Sequence, residues 1–228
     1  MRVPPARPQG GSDKNRNYKQ MNNLTVIDNP LIKRDMTYLR DEETKEYQFR
    51  LALKRIAYIL ASEVSKNFKV TEVEVKTPLE NTVGHKITKD IILVPILRAG
   101  LSLVEAFIEI IPYAKVGHIG LQRDEKTFQP VEYYYKAPKN LGESTVIILD
   151  PMLATGGSAS VAAKFLKGRG AQEIMMANLI AAPEGVLRME KDHPDVKIYT
   201  AQLDRALNEN AYIVPGLGDA GDRTFGTL

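Results

Sequence analysis

The chain has 228 residues, 43% of them hydrophobic and 26% charged, which suits a globular α/β protein with ample material for a core. It has no cysteine, which excludes disulfides, zinc–thiolate centres and thiol catalysis, and no apolar run approaches the roughly 18 residues of a membrane span. The net charge of +3 sits in the first twenty residues, where Arg2, Arg7, Lys14, Arg16 and Lys19 stand against Asp13; residues 21–228 sum to −1 and carry no global nucleic-acid footprint.

Residues 1–20 are polar, hold three prolines and show no apolar periodicity. They are predicted to be a disordered leader or extension before a single domain at 21–228, with Met21 as a candidate start. A basic RNA-binding arm is the rival reading, weakened by the missing aromatic interleaving. From Asp41 to about Lys66, Phe49, Leu53, Ile56, Ile59, Leu60 and Val64 recur at helical spacing, with Asp41 as the expected N-cap. TEVEVKT (71–77) alternates like a half-buried strand, and IILVPIL (91–97) is a continuous apolar run typical of a strand covered on both faces. A helix is expected over Leu101–Ile110, a strand over VGHIGLQ (116–122), and one arm of a protruding hairpin at VEYYYK (131–136). TVIILD (145–150) reads as a buried strand, Ser158–Lys167 as a helix, EIMMANLIA (173–181) as a strand, Glu184–Lys191 as a helix and KIYTAQL (197–203) as a strand. This alternation predicts an α/β fold, a mostly parallel twisted sheet flanked by helices, with ligand chemistry just beyond the strands' C-terminal ends.

Two glycine-bearing stretches stand out. GLGDAG (Gly216–Gly221) matches G-x-G-x-x-G, but a dinucleotide fingerprint needs a following helix and an acid about 20 residues on, and seven residues follow. In DPMLATGGSA (150–159), a buried strand delivers Asp150, then a small-residue loop, then a helix N-terminus. Backbone N–H groups of Thr155, Gly156, Gly157 and Ser158, with the helix dipole and two hydroxyls, suit one phosphate monoester, and Asp150 suits sugar hydroxyls. The plainer alternative is an ordinary βα turn with an N-cap serine. No G-x-x-x-x-G-K-[ST] is present, which argues against P-loop NTP hydrolysis.

The stretch VIILDPMLATGGS resembles the phosphoribosyl-diphosphate (PRPP) loop of type I phosphoribosyltransferases. Most of that superfamily carries two adjacent acids here; Asp150 followed by Pro151, then Met152, Leu153 and Ala154, is the form of the uracil phosphoribosyltransferases. PILRAG (95–100), GHIGLQRDE (117–125), LIAAPEGV (179–186) and YIVPGLGDAGDRTFGT (212–227) agree, so the resemblance runs from about Asn23 to the end. It implies transfer of ribose 5-phosphate from PRPP to N1 of uracil, giving UMP and diphosphate. It also implies a small C-terminal base-binding hood and a homodimer or higher homo-oligomer built partly by the hairpin arm, with GTP as a candidate activator; the absence of cysteine fits a cytoplasmic location. The resemblance places PRPP on Arg98, Arg123, the Asp150–Ser158 loop and Asp219, with Arg98 and Arg123 gripping the diphosphate. Uracil falls on the backbone of Ile213, Gly218 and Ala220, beside Asp219, which is expected to ease proton loss from N1. Mg²⁺ is expected to be held mainly through PRPP, with a water link to Asp219. His85, His118 and His193 show no metal or triad spacing and are read as structural. A purine phosphoribosyltransferase and a PRPP- or UMP-sensing RNA-binding regulator on the same fold are the alternatives.

Overall fold

A computed structural model of the chain describes residues 21–123 and 130–227. The leader expected at 1–20 and residues 124–129 lie outside the described residues, as do the side chains of Arg123 and Pro130.

The chain enters through β1 (Leu24–Val26) and α1 (Pro30–Arg40). α1 is a helix absent from the sequence-based expectation, though its signals are local. Asn29 accepts from Leu31 N at 2.8 Å, Pro30 takes a first-turn position, and Ile32, Met36 and Leu39 share one buried face. Asp41 therefore closes α1 instead of opening the next helix: its N–H donates to Thr37 O, and its carboxylate accepts from Glu43 N at 3.0 Å in the turn that follows. α2 (Glu46–Ser65) starts later than expected, with Lys45 in the cap position.

β2 (Val70–Lys76) and β3 (Asn81–Ile87) follow as an antiparallel hairpin in register from Val70↔Ile87 to Lys76↔Asn81, which pairs with no other strand among the described residues. Then come β4 (Asp90–Leu97), α3 (Leu101–Ile110), β5 (Lys115–Val116), β6 (His118–Arg123) and β7 (Pro130–Lys136). Next are β8 (Ser144–Leu149), β9 (Met152–Leu153), α4 (Gly157–Gly168), β10 (Glu173–Ala181) and α5 (Pro183–Asp192). β11 (Lys197–Leu203), β12 (Ala206–Leu207), β13 (Ile213–Val214) and α6 (Ala220–Phe225) complete the order.

The main sheet runs β1-β11-β10-β8-β4-β6-β7, parallel throughout except where β7 returns along β6, with β5 paired to β4 and β9 to β10. The expected VGHIGLQ strand is interrupted at Gly117 into β5 and β6. The expected VEYYYK arm is β7, the second strand of a hairpin that forms the sheet's far edge. Among the described residues the hairpin without a sheet partner is β2–β3, so TEVEVKT is not the half-buried strand expected: with no layer packed on it, every β2 residue except Val73 is exposed.

The continuous apolar runs are what burial on both faces requires. Ile91 and Leu93 of β4, Ile147 and Leu149 of β8, and Met175 and Ala177 of β10 meet α2 and α3. Ile92, Val94, Val146, Ile148 and Met176 face the opposite way, against Ala162 and Leu166 of α4 and Val186 and Met189 of α5. Among the described residues no helix is long and apolar enough to cross a membrane.

α1 is tied to α2 by a buried charge. Asp35 has no exposed surface and takes Arg55 Nε and Nη2, each at 2.8 Å, while Arg34 Nε and Nη2 reach its Oδ1 at 3.0 and 2.9 Å. Burial alone raises the pKa of such a carboxyl, but the hydrogen bonds from Arg55 and Arg34 outweigh it and hold Asp35 below the usual aspartate range. Arg55→Met is expected to lower the unfolding free energy by about 2 kcal/mol at neutral pH, because it leaves the buried Oδ2 of Asp35 without a partner and Arg34 alone on Oδ1. A depressed acid contributes stability above its unfolded pKa and loses it as pH falls through the folded one. The deficit measured by urea unfolding should therefore shrink below about pH 4.

Candidate active site

In a parallel sheet, ligands sit where neighbouring strands send their connections to opposite faces. β4 and β8 are such a pair: β4 continues through α3 toward β5 and β6, and β8 through α4 toward β10. Their C-terminal loops touch, since a Cβ on Gly100, just after Arg98-Ala99, would lie 2.2 Å from Leu149 O at the end of β8. The Leu97–Arg98 peptide is cis.

Asp150 follows β8 and is partly buried. Pro151 has no N–H to offer β10, and its carbonyl instead accepts from Leu179 N and Ile180 N at 3.0 and 3.1 Å, after which the chain re-pairs as β9. This break turns Asp150 and the next residues onto the rim. Asp150, Met152, Leu153, Ala154, Thr155, Gly156, Gly157, Ser158 and Ala159 together line a cavity of about 90 Å³. Gly156 has φ 74°, and a Cβ there would meet Gly185 O at 2.8 Å. Gly156, not Ser158, occupies the cap position of α4, so the plain N-cap-serine turn does not describe this loop; Thr155 and Ser158 are both exposed at the helix N-terminus.

Two carboxylates share the cleft. Burial pushes the Asp150 carboxyl up to about 7, the negative charge of Asp219 adds to the rise, and the backbone N–H of Met152 only partly offsets it. Asp219 is exposed and caps α6, its Oδ1 accepting from Asp222 N at 2.9 Å. Arg98 is exposed, reaches Asp222 Oδ1 at 3.1 Å and lies 5.8 Å over the Phe225 ring, so the loop after β4 also touches the C-terminal segment. Arg123 ends β6 on the same side of the sheet; its side chain lies outside the described parts.

The C-terminal segment passes from β13 over a cis Val214–Pro215 peptide into GLGDAG. Ile213, Leu217 and Ala220 are buried in the core they share with α1 and α2. Gly218 is exposed, with φ 77°. Ala220 O accepts from Thr224 Oγ1 at 2.6 Å.

The supports of this segment were not anticipated. Arg40, the last residue of α1, pairs with buried Asp204, and both bond to Gly216. Arg223 donates to Leu217 O at 2.8 Å and to Asp41 O at 2.6 Å, with its guanidinium 4.5 Å over the Phe49 ring. Asp204 directly follows the strand KIYTAQL, a position at which an acid merits notice; Arg40 was out of reach once α1 had been missed.

A family model described as uracil phosphoribosyltransferase matches residues 26–227. The chain belongs to the uracil phosphoribosyltransferase family. It is 52% identical over 207 residues to the uracil phosphoribosyltransferase of Salinibacter ruber, covering 91% of this chain and 99% of the relative. It is 54% identical over 208 residues to that of Finegoldia magna, covering 91% of this chain and all of the relative. The solved structure of the AQ2163 protein from Aquifex aeolicus superimposes with a TM-score of 0.82 at 38% identity, over 89% of this chain and 97% of that one.

Asp219→Asn removes a negative charge that acts on Asp150. The Asp150 carboxyl, followed by carbon NMR, should then titrate at a lower pH than in the unmodified protein. An unmoved midpoint would show that the two carboxylates do not interact.

Proposed function

We propose that this chain transfers ribose 5-phosphate from PRPP to N1 of uracil, with inversion at the anomeric carbon, giving UMP and diphosphate. The bond from the anomeric carbon to the diphosphate oxygen breaks, the bond to uracil N1 forms, and N1 gives up its proton. The observation that carries the reading is the meeting, at the parting of β4 and β8, of a phosphate-sized loop behind an acid and a glycine-rich backbone segment. The names of the relatives support it.

In this reading the N–H groups of Thr155, Gly156, Gly157 and Ser158 bind the 5-phosphate, with the α4 dipole behind them. The carboxylate of Asp150 accepts from ribose hydroxyls, while Pro151, Met152, Leu153 and Ala154 set the loop's path. Arg98 and Arg123 hold the diphosphate and stabilise the charge it gains as it leaves. Uracil presents an acceptor, a donor and an acceptor to the main chain of Ile213, Gly218 and Ala220. Asp219, with one oxygen engaged as a cap, offers the other toward the N1 proton.

The donor set suits Mg²⁺ carried largely by substrate oxygens. Asp150 and Asp219 repel each other in the same cleft, and a cation beside them relieves that repulsion. When bound it supplies positive charge to the departing diphosphate. Asp219, through water, and Asp150 are the residues that would hold it.

The same proposal takes residues 21–228 as a single domain with 1–20 as an appendage, a cytoplasmic location, and a homo-oligomer in which exposed Tyr133 and Tyr134 of β7 meet a second copy. For GTP as an activator, the cleft of about 450 Å³ lined by Arg34, Tyr38, Gln48, Leu51 and Arg55 offers two guanidinium groups and an aromatic ring to a purine nucleotide.

The test is product formation from PRPP, Mg²⁺ and labelled uracil beside cytosine, hypoxanthine and xanthine, with and without GTP. UMP from uracil alone is expected. A nucleotide from a purine base, or none from any base, would overturn the reading. Asp219→Asn is expected to lower kcat roughly 10²-fold, in line with loss of a proton-accepting group; unchanged kcat would remove that role. PRPP affinity should fall as pH drops through about 7, where Asp150 takes up its proton. In Asp150→Asn that component should vanish, leaving the titration of the substrate phosphate itself.

A further inference from the structure

We propose that Arg40 and Asp204 are positioning residues for the nucleobase, acting from beneath the Gly216–Gly221 segment without touching the base. The inference rests on the uracil reading of that segment. Asp204 lies just past the C-terminal end of β11, where its N–H is held by Ala181 O at 2.8 Å. Its side chain is 2% exposed. One of its oxygens accepts from Gly216 N at 2.8 Å and from Arg40 Nη1 at 3.0 Å; the other accepts from Arg40 Nη2 at 2.5 Å. Arg40 Nη1 also donates to Gly216 O at 2.9 Å. A single ion pair thus holds both polar main-chain groups of one residue.

That residue has little other freedom. Gly216 has φ 69°, and a Cβ on it would stand 2.1 Å from Ile213 O, so only glycine fits and nothing but its main chain is available to be gripped. The next carbonyl, Leu217 O, is taken by Arg223 at 2.8 Å. Two successive carbonyls therefore point to cations below the segment. Among the described residues no hydrogen bond is made by the main chain of Gly218, the position expected to meet the base. An apolar pair of the same volume would fill the space under the segment but would leave the N–H and C=O of Gly216 unpaired and the turn unspecified. Main-chain recognition of a small planar base depends on sub-ångström placement, which is what this clamp provides.

The experiment compares Asp204→Asn, Arg40→Met and Arg40→Lys with the unmodified enzyme. It measures KM for uracil and for PRPP, kcat, PRPP affinity by calorimetry, and melting temperature. Arg40→Lys keeps the charge but loses the planar fork that spans Asp204 and Gly216 O. The expected result is a KM for uracil raised roughly ten-fold or more, with a clearly smaller loss of PRPP affinity, because the Asp150–Ser158 loop does not rest on this pair and, of the residues placed on PRPP, Asp219 alone lies in the segment it holds. An unchanged KM for uracil overturns the inference. So does an equal loss for both substrates, or failure of even Arg40→Lys to fold, either of which makes the pair a support of the fold at large. If the unmodified enzyme forms no UMP, the functional reading falls first; if it does and the variants match it, this inference alone falls.

Discussion

Two buried parallel strands that run together and then part set the terms for everything at the cleft. β4 and β8 pair from Asp90↔Ser144 to Pro95↔Leu149, and each next residue must leave for a different face of the sheet. Past their polar first residues, Asp90 of β4 and Ser144 and Thr145 of β8, both strands are apolar on both faces, so the next polar groups appear where they end. Arg98 and Asp150 are those groups. The contact of Gly100 with Leu149 O keeps the two loops together at their roots, so the groups they carry share one crevice.

The other wall of the crevice is built differently. The C-terminal segment has almost no regular structure of its own, and side-chain cations supply the order that hydrogen-bonded ladders supply elsewhere. Arg40 and Arg223 hold consecutive carbonyls, Asp204 holds the adjoining N–H, and Leu217 and Ala220 anchor the apolar side in the core beside α1 and α2. α1 in turn is fastened to α2 through Asp35 and Arg55. A line of buried and half-buried ion pairs thus runs from the middle of α2 to the glycines of the crevice. Such pairs add little net stability compared with apolar packing, but they specify geometry wherever main-chain groups have to be held.

The elements readable from sequence were those whose burial is uniform. IILVPIL, TVIILD, EIMMANLIA and KIYTAQL announce themselves as double-faced strands, and the helices between them follow from apolar spacing. The Asp150–Ser158 loop was legible because its chemistry is local: an acid, two glycines and two hydroxyls at a helix start. What escaped was long-range or mixed in signal. α1 carries five charged or strongly polar side chains among its apolar ones, and the acid taken as the next helix's cap belongs to its end. β3 was missed because NTVGHKI gains its register only from β2 across a turn. Arg40, Asp204 and Gly216 are brought together by tertiary structure alone, and no spacing in the sequence encodes that meeting.

The weakened acidity of the Asp150 carboxyl has a cost for the molecule as a whole. Between the ordinary aspartate value near 3.9 and about 7, the folded chain keeps a proton on Asp150 that the unfolded chain has already released. Folding therefore takes up a proton in that window, and the contribution of this group to stability declines steadily as the solution becomes less acid. At neutrality this carboxyl is a place where the architecture works against its own folding. A bound ligand that brings donors or a cation to Asp150 returns what was given up, so occupancy and folding become linked through one carboxyl group.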